Sequence, residues 1–204
     1  RGFIRWTAAL VAHRLLLRGG EVGVVKGTDP FNPGRGLSLA TVSNGLGPAR
    51  HNASLQWLGP AETRSPYCAV VVWVVPIKDQ NGRAPRCPIT IRALHPGPVS
   101  NDPLCAYSHL YKLWQIRGQQ TGFDPEAPFF ALPSAEGGTR VWNTLDSHAL
   151  AQAVIAAAGE DGSETAAHGF RIGGATDLRD RLGLERGKVT ISDRGRWADE
   201  DIGF

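Results

Sequence analysis

The order of apolar and polar positions divides the chain into a helical start, a strand-rich middle and a helical end. Ile4, Ala8, Val11 and Leu15 recur at helical spacing, so residues 3–17 are expected to form a helix that Gly19-Gly20 ends or loosens. Residues 27–66 are rich in Gly, Pro and Asn and read as loops around two short strands, 37–42 and 54–58. The valine-dominated run 67–77 is the clearest strand pattern, and Asn81-Gly82 marks a hairpin turn into a partner strand over 87–92. After a loop at 95–103 the period becomes helical. Asp102 is suited to cap a helix with Pro103 at its first position and Leu104, Tyr107, Leu110, Tyr111 and Trp114 on one side. Residues 122–140 read as a loop. A second helix is expected from Thr144 through Ala158, a third from near Glu164 to Leu182, and a fourth within 188–193. A helix, a small antiparallel sheet of three strands and then several helices make an α+β domain, mainly helical.

With 204 residues the chain is long enough for one domain with a real core, taken as residues 1–204. Hydrophobic residues at 42% and charged residues at 20% indicate a folded chain rather than a disordered one. The net charge of +3 is mild and permits a nucleic-acid partner without requiring one. Its basic residues are 18 Arg against 4 Lys, which suits bidentate phosphate contacts and equally suits a GC-rich coding sequence. Cys68, Cys87 and Cys105 are widely spaced, with no zinc-like pairing, and read as free thiols of a reducing, intracellular compartment. The longest apolar run, 68–76, is too short to span a bilayer, so no membrane is expected. The chain holds no methionine and starts inside a helical pattern, so it is expected to be a fragment of a longer protein.

Four places then stand out. They are Arg18-Gly19-Gly20-Glu21 after the first helix, Lys78 at the hairpin, His168-Gly169-Phe170-Arg171 opening a helix, and Gly195-Arg196-Trp197. Taken singly each has an ordinary structural explanation. An arginine at a helix end complements the dipole, a turn lysine is solvated, and a lone tryptophan belongs to a core or its rim. His168 and Arg171, three apart, share one face of a helix.

Taken in order, they resemble the signature of the tyrosine recombinases, the phage-integrase family. Arg18-Gly19-Gly20-Glu21 is similar to that family's first box, and His168-Gly169-Phe170-Arg171-Ile172-Gly173-Gly174-Ala175-Thr176 to its second. Gly195-Arg196-Trp197 is similar to the segment where the family carries His or Trp. The resemblance covers roughly the whole chain and implies the catalytic core of a DNA breaking-rejoining enzyme. It implies that a tyrosine attacks a phosphodiester, leaving a 3′-phosphotyrosine and a free 5′-hydroxyl. Arg18 and Arg171 would clamp the non-bridging oxygens, as charge gathers there, without metal or other cofactor. His168 would bond the phosphate and help move the nucleophile's proton, and Lys78 would protonate the 5′-oxygen. Trp197 would offer its indole N–H, and Glu21 would orient Arg18.

The chain departs from the pattern in two respects. Trp197 stands where the family often has His, and the nucleophilic tyrosine is expected shortly beyond Phe204. Tyr67, Tyr107 and Tyr111 lie in core-like elements and are expected to pack. The family's DNA-clamping N-terminal domain is also expected to be missing. What the resemblance implies is DNA recombination or integration by the parent protein, for a mobile element, with double-stranded DNA as partner. A tetrameric synapse on DNA and residence in the nucleus or nucleoid follow from the same resemblance. Type IB topoisomerase-like relaxation, a decayed relative that only binds DNA, and an unrelated α+β domain remain as alternatives.

Overall fold

The computed structural model describes residues 1–24, 37–41, 53–74, 87–97, 99–118, 127–136, 139–161 and 168–195. In chain order these form α1 (Gly2–Arg14), α2 (Gly19–Val22), β1 (Leu37–Thr41), β2 (Ala53–Leu58), α3 (Pro60–Thr63), β3 (Ala69–Val74) and β4 (Cys87–Arg92). They continue as α4 (Ala106–Gly118), β5 (Ala131–Glu136), β6 (Thr139–Thr144), α5 (Ser147–Ala157), α6 (His168–Leu182) and α7 (Leu184–Gly195). The architecture is mixed α+β, with more residues in helices than in strands and an antiparallel run β2-β3-β4. Strand β1 joins the same sheet beside β2 and runs parallel to it, so the sheet has four strands rather than the three expected.

Helix α1 is the hub. It packs on α4, α5 and α6, and Ile4, Ala8, Val11 and Leu15 are all buried, as their spacing indicates. The central strand β3 buries Val70, Val72 and Val74 and leaves Val71 and Trp73 half-covered, the alternation of a strand with one face on a core. Trp57 of β2 meets Tyr107 and Tyr111 of α4 edge-on, at ring separations of 5.6 and 5.2 Å. Tyr107 is buried, and burial beside the Cys68 thiol pushes its hydroxyl well above the usual tyrosine range. Tyr67 does not pack. It is exposed ahead of β3, where it bridges to Gly97. Cys68 and Cys105 are buried free thiols. No helix among the described residues is long and apolar enough to cross a membrane.

Several boundaries differ from the sequence pattern for identifiable reasons. Helix α4 starts at Ala106, because Asp102 caps a preceding turn instead. Its carboxylate accepts from the Leu104 N–H at 2.8 Å and pairs with His95 at 2.9 Å, which leaves Leu104 exposed. The His95 bond and then the Leu104 N–H hold the Asp102 carboxyl below its ordinary range. The loop expected over 122–140 contains β5, which pairs antiparallel with β6 from Ala131↔Thr144 to Glu136↔Thr139. Thr144 therefore ends a strand, and α5 is capped by Asp146, whose side chain accepts from the His148 and Ala149 N–H groups. Helix α7 extends over Leu184–Gly195, well beyond 188–193. The Asn81-Gly82 turn lies outside the described residues, although β3 and β4 pair as a hairpin requires.

Two histidines are packed in ways that favour their neutral forms. His13 lies beside α6, where burial lowers its pKa; Arg14 and Arg181 reinforce this and Asp177 opposes it. His109 stacks on Phe3 at 5.3 Å, and burial and Lys112 lower its pKa against the opposing Pro103 and Asp102 contacts. The unfolded chain takes up protons at the ordinary histidine value of about 6.5, above the native values. Stability from these sites is full above that value and declines as pH falls through it towards the native pKa values. Urea unfolding at about pH 7.5 and about pH 5 should show the loss on acidification, and His13→Gln should make it smaller.

Candidate phosphate-binding site

Helix α1 stops four residues short of Arg18 through a chain reversal centred on Leu16. The Leu16 N–H bonds to the His13 carbonyl at 3.4 Å and the Leu17 N–H to the Ala12 carbonyl at 2.9 Å, the two bonds of a Schellman motif. The left-handed position of this motif normally takes glycine, yet here it is Leu16, at φ 52°. A left-handed L-residue costs about 1–2 kcal/mol. What offsets it is burial: Leu16 is fully covered and forms a small second core with Ala175 of α6 and Ile191 of α7. Gly19-Gly20 does not end α1, as its sequence position suggested, but opens α2.

Arg18 is the residue before α2, in extended conformation. Its backbone N–H donates to Glu21 Oε2 at 2.7 Å, half of a capping box. The Arg18 guanidinium lies 3.7 Å from Glu21 Oε1, with the arginine side chain a third exposed and the carboxylate 3% exposed. Glu21 is thus a buried anion that holds both the backbone and the side chain of Arg18.

Helix α6 approaches α1 closely at Gly174. A Cβ there would stand 2.6 Å from Leu16 Cδ2 and closer still to the His13 carbonyl oxygen, so no larger residue fits without moving backbone. One turn earlier Arg171, 2% exposed, extends into the space between three elements. Its Nη1 donates to the Leu16 carbonyl at 3.4 Å, and its Nη2 donates to the Gly195 carbonyl. Leu16 lies in the C-terminal turn that closes α1, where carbonyls lack helical partners and the dipole is negative, and Gly195 is the last described residue of α7. One cation therefore joins the turn that closes α1, α6 and α7.

The four places singled out in the sequence are thus partly assembled. The chain beside Arg18, Arg171 and the first residue of Gly195-Arg196-Trp197 meet at one guanidinium. His168 is exposed at the N-terminal end of α6, one turn before Arg171. Lys78 and Trp197 lie outside the described residues. Two residues that matter here did not stand out in the sequence. Gly174 had a signal, a Gly-Gly pair inside a helical pattern, whereas nothing in the sequence marks Leu16 as left-handed. No family model, no curated protein and no solved structure matches the chain.

Two substitutions test this assembly through stability. Gly174→Ala should destabilise by about 1–3 kcal/mol, the range for overpacking, lowering Tm by roughly 2–4 °C per kcal/mol in a chain of this size. Arg171→Leu keeps bulk but removes both carbonyl bonds and should cost on the order of 3 kcal/mol, since bonds from charged donors contribute about 1.5–3 each. Calorimetric melts of each variant against the parent measure both. An unchanged Tm for Arg171→Leu would count against the three-element clamp.

Proposed function

We propose that the chain is the phosphate-gripping core of a DNA strand-breaking and rejoining domain on the tyrosine recombinase plan. The observation that carries the reading is the Arg171 guanidinium, which ties the second-box helix to Leu16, two residues ahead of the first box, and to Gly195 at the start of Gly195-Arg196-Trp197. A chance scatter of motifs has no reason to meet at one buried cation. Reaction at a phosphodiester places negative charge on the non-bridging oxygens, and preorganised cations lower its barrier most effectively. Arg18, a third exposed, is held by Glu21, so its charge needs little reorganisation during the reaction, and the buried Arg171 fixes the junction beneath it. His168 is exposed one helical turn before Arg171 on α6.

In this reading a tyrosine oxygen bonds to phosphorus, the bond to the 5′-oxygen breaks, and the DNA 3′ end stays on the tyrosine. His168 takes the tyrosine proton and Lys78 supplies one to the 5′-oxygen. The attacking tyrosine comes from a segment following Phe204. The partner is duplex DNA, and exchange between two sites needs several copies of the protein on DNA.

Binding to a fluorescent duplex, followed by anisotropy across a salt series, tests the phosphate site. The 204-residue chain should bind near the non-specific range, on the order of 10⁻⁴ to 10⁻⁶ M, and weaken steeply with salt. Arg18→Ala should bind more weakly; equal binding would remove Arg18 from the site. On a nicked suicide substrate the chain alone should form no covalent adduct, whereas the protein extended by its natural gene sequence should form one. In that longer protein Arg171→Ala should reduce adduct yield by about 10²–10³-fold, the loss typical of one oxyanion donor. An adduct formed by the 204-residue chain itself would overturn the assignment of the nucleophile.

A further inference from the structure

A cleft of about 150 Å³ opens where the ends of three elements meet. Arg14 is the last residue of α1, Arg92 the last of β4, and Arg194 the penultimate residue of α7; all three line it, with Thr90 on its β4 side. Arg92 is exposed, and Arg14 and Arg194 are half-buried. No carboxylate is among the described lining residues. Leu94 and Leu104, about half exposed, make an apolar rim.

We infer that this cleft is a second phosphate site, which takes a backbone phosphate of the nucleic acid beside the one held at Arg18 and Arg171. The assignment of the phosphate to nucleic acid rests on the function proposed above; the anion site itself rests on the cleft alone. Three guanidinium groups lining one concavity make it attractive to an anion. Arginines approaching from three elements suit a tetrahedral group with several charged oxygens, because each can present a pair of N–H donors. The space is adequate, since a single water needs only roughly 10–15 Å³ of such volume. Thr90 contributes a hydroxyl, and the apolar rim offers contact to the sugar next to a phosphate. The cleft is also tied to the Arg171 clamp. Arg14 precedes Leu16 by two residues and Arg194 precedes Gly195, the two carbonyls that Arg171 holds. One rigid junction therefore presents both groups of arginines, as neighbouring phosphates on one strand require.

The test uses Arg92→Gln, an exposed position whose variant should melt like the parent, with Arg92→Lys as the charge-keeping variant and Arg186→Gln as a control. Two probes are used, duplex DNA in a salt series and inorganic phosphate by titration calorimetry. Loss of one phosphate contact should lower the magnitude of the slope of log K against log salt by about 1 and weaken DNA binding about tenfold at low salt. Arg92→Lys should recover most of the slope, and Arg186→Gln should leave it unchanged. Phosphate binding lost in Arg92→Gln, with no DNA binding by the parent, would support the anion site and overturn the nucleic-acid reading. DNA binding by the parent that is weakened by Arg18→Ala but not by Arg92→Gln would overturn the second site and leave the first standing. A slope lowered equally by Arg186→Gln would also overturn it, because the effect would then be general charge.

Discussion

A guanidinium with almost no exposure to water must find acceptors for its N–H groups and negative potential for its charge. Arg171 finds acceptors for Nη1 and Nη2 where α6 meets the turn that closes α1 and the last described residue of α7. The Leu16 carbonyl is one that α1 leaves unsatisfied at its C-terminus, at the negative end of the dipole, and the Gly195 carbonyl of α7 supplies the second acceptor. Without these bonds the cation would be buried without compensation. Much of the C-terminal half of the molecule is arranged around this exchange. It ties the turn that closes α1 to α6 and α7.

The close approach has its own requirements. Gly174 removes the side chain that would keep α6 away from the last turn of α1. Leu16 then accepts a left-handed backbone because its side chain completes the small core with Ala175 and Ile191. The strain in one residue and the absence of a side chain in another are two parts of one packing solution. On the function proposed above, a phosphate is gripped at the surface of this junction. Arg18 stands two residues beyond Leu16, restrained by the buried Glu21 carboxylate, and His168 stands one helical turn before Arg171. A rigid base beneath Arg18 is what gripping a phosphate calls for, since positioning is lost when supporting residues move.

Periodicity located most elements because hydrophobic spacing reports directly on which face is buried. Ile4, Ala8, Val11 and Leu15 identify α1, and the valines of β3 identify the central strand. Ends were less legible, because they depend on competition between local hydrogen bonds. Asp102 caps a turn rather than α4, and Asp146 rather than Thr144 starts α5. The β5–β6 hairpin was hidden in a Gly- and Pro-rich stretch, since pairing between two strands leaves little trace in either one alone. For the candidate site, the order of Arg18, His168, Arg171 and Gly195 was visible, but order carries no distance. The arginines of the cleft, Arg14, Arg92 and Arg194, have no common motif and are neighbours only in space.

The sequence by itself determined the α+β class, the helical face of α1, the strand character of β3, the pairing of β3 with β4 and the order of the chemically interesting residues. These follow from local periodicity and turn chemistry, which act over a few residues. Only the tertiary structure decided that Arg171 is a buried clamp, that Leu16 is left-handed, and that Arg14, Arg92 and Arg194 share a cleft. Each of these depends on groups brought together from distant parts of the chain. Burial, desolvation and like-charge crowding exist only once the chain has closed on itself.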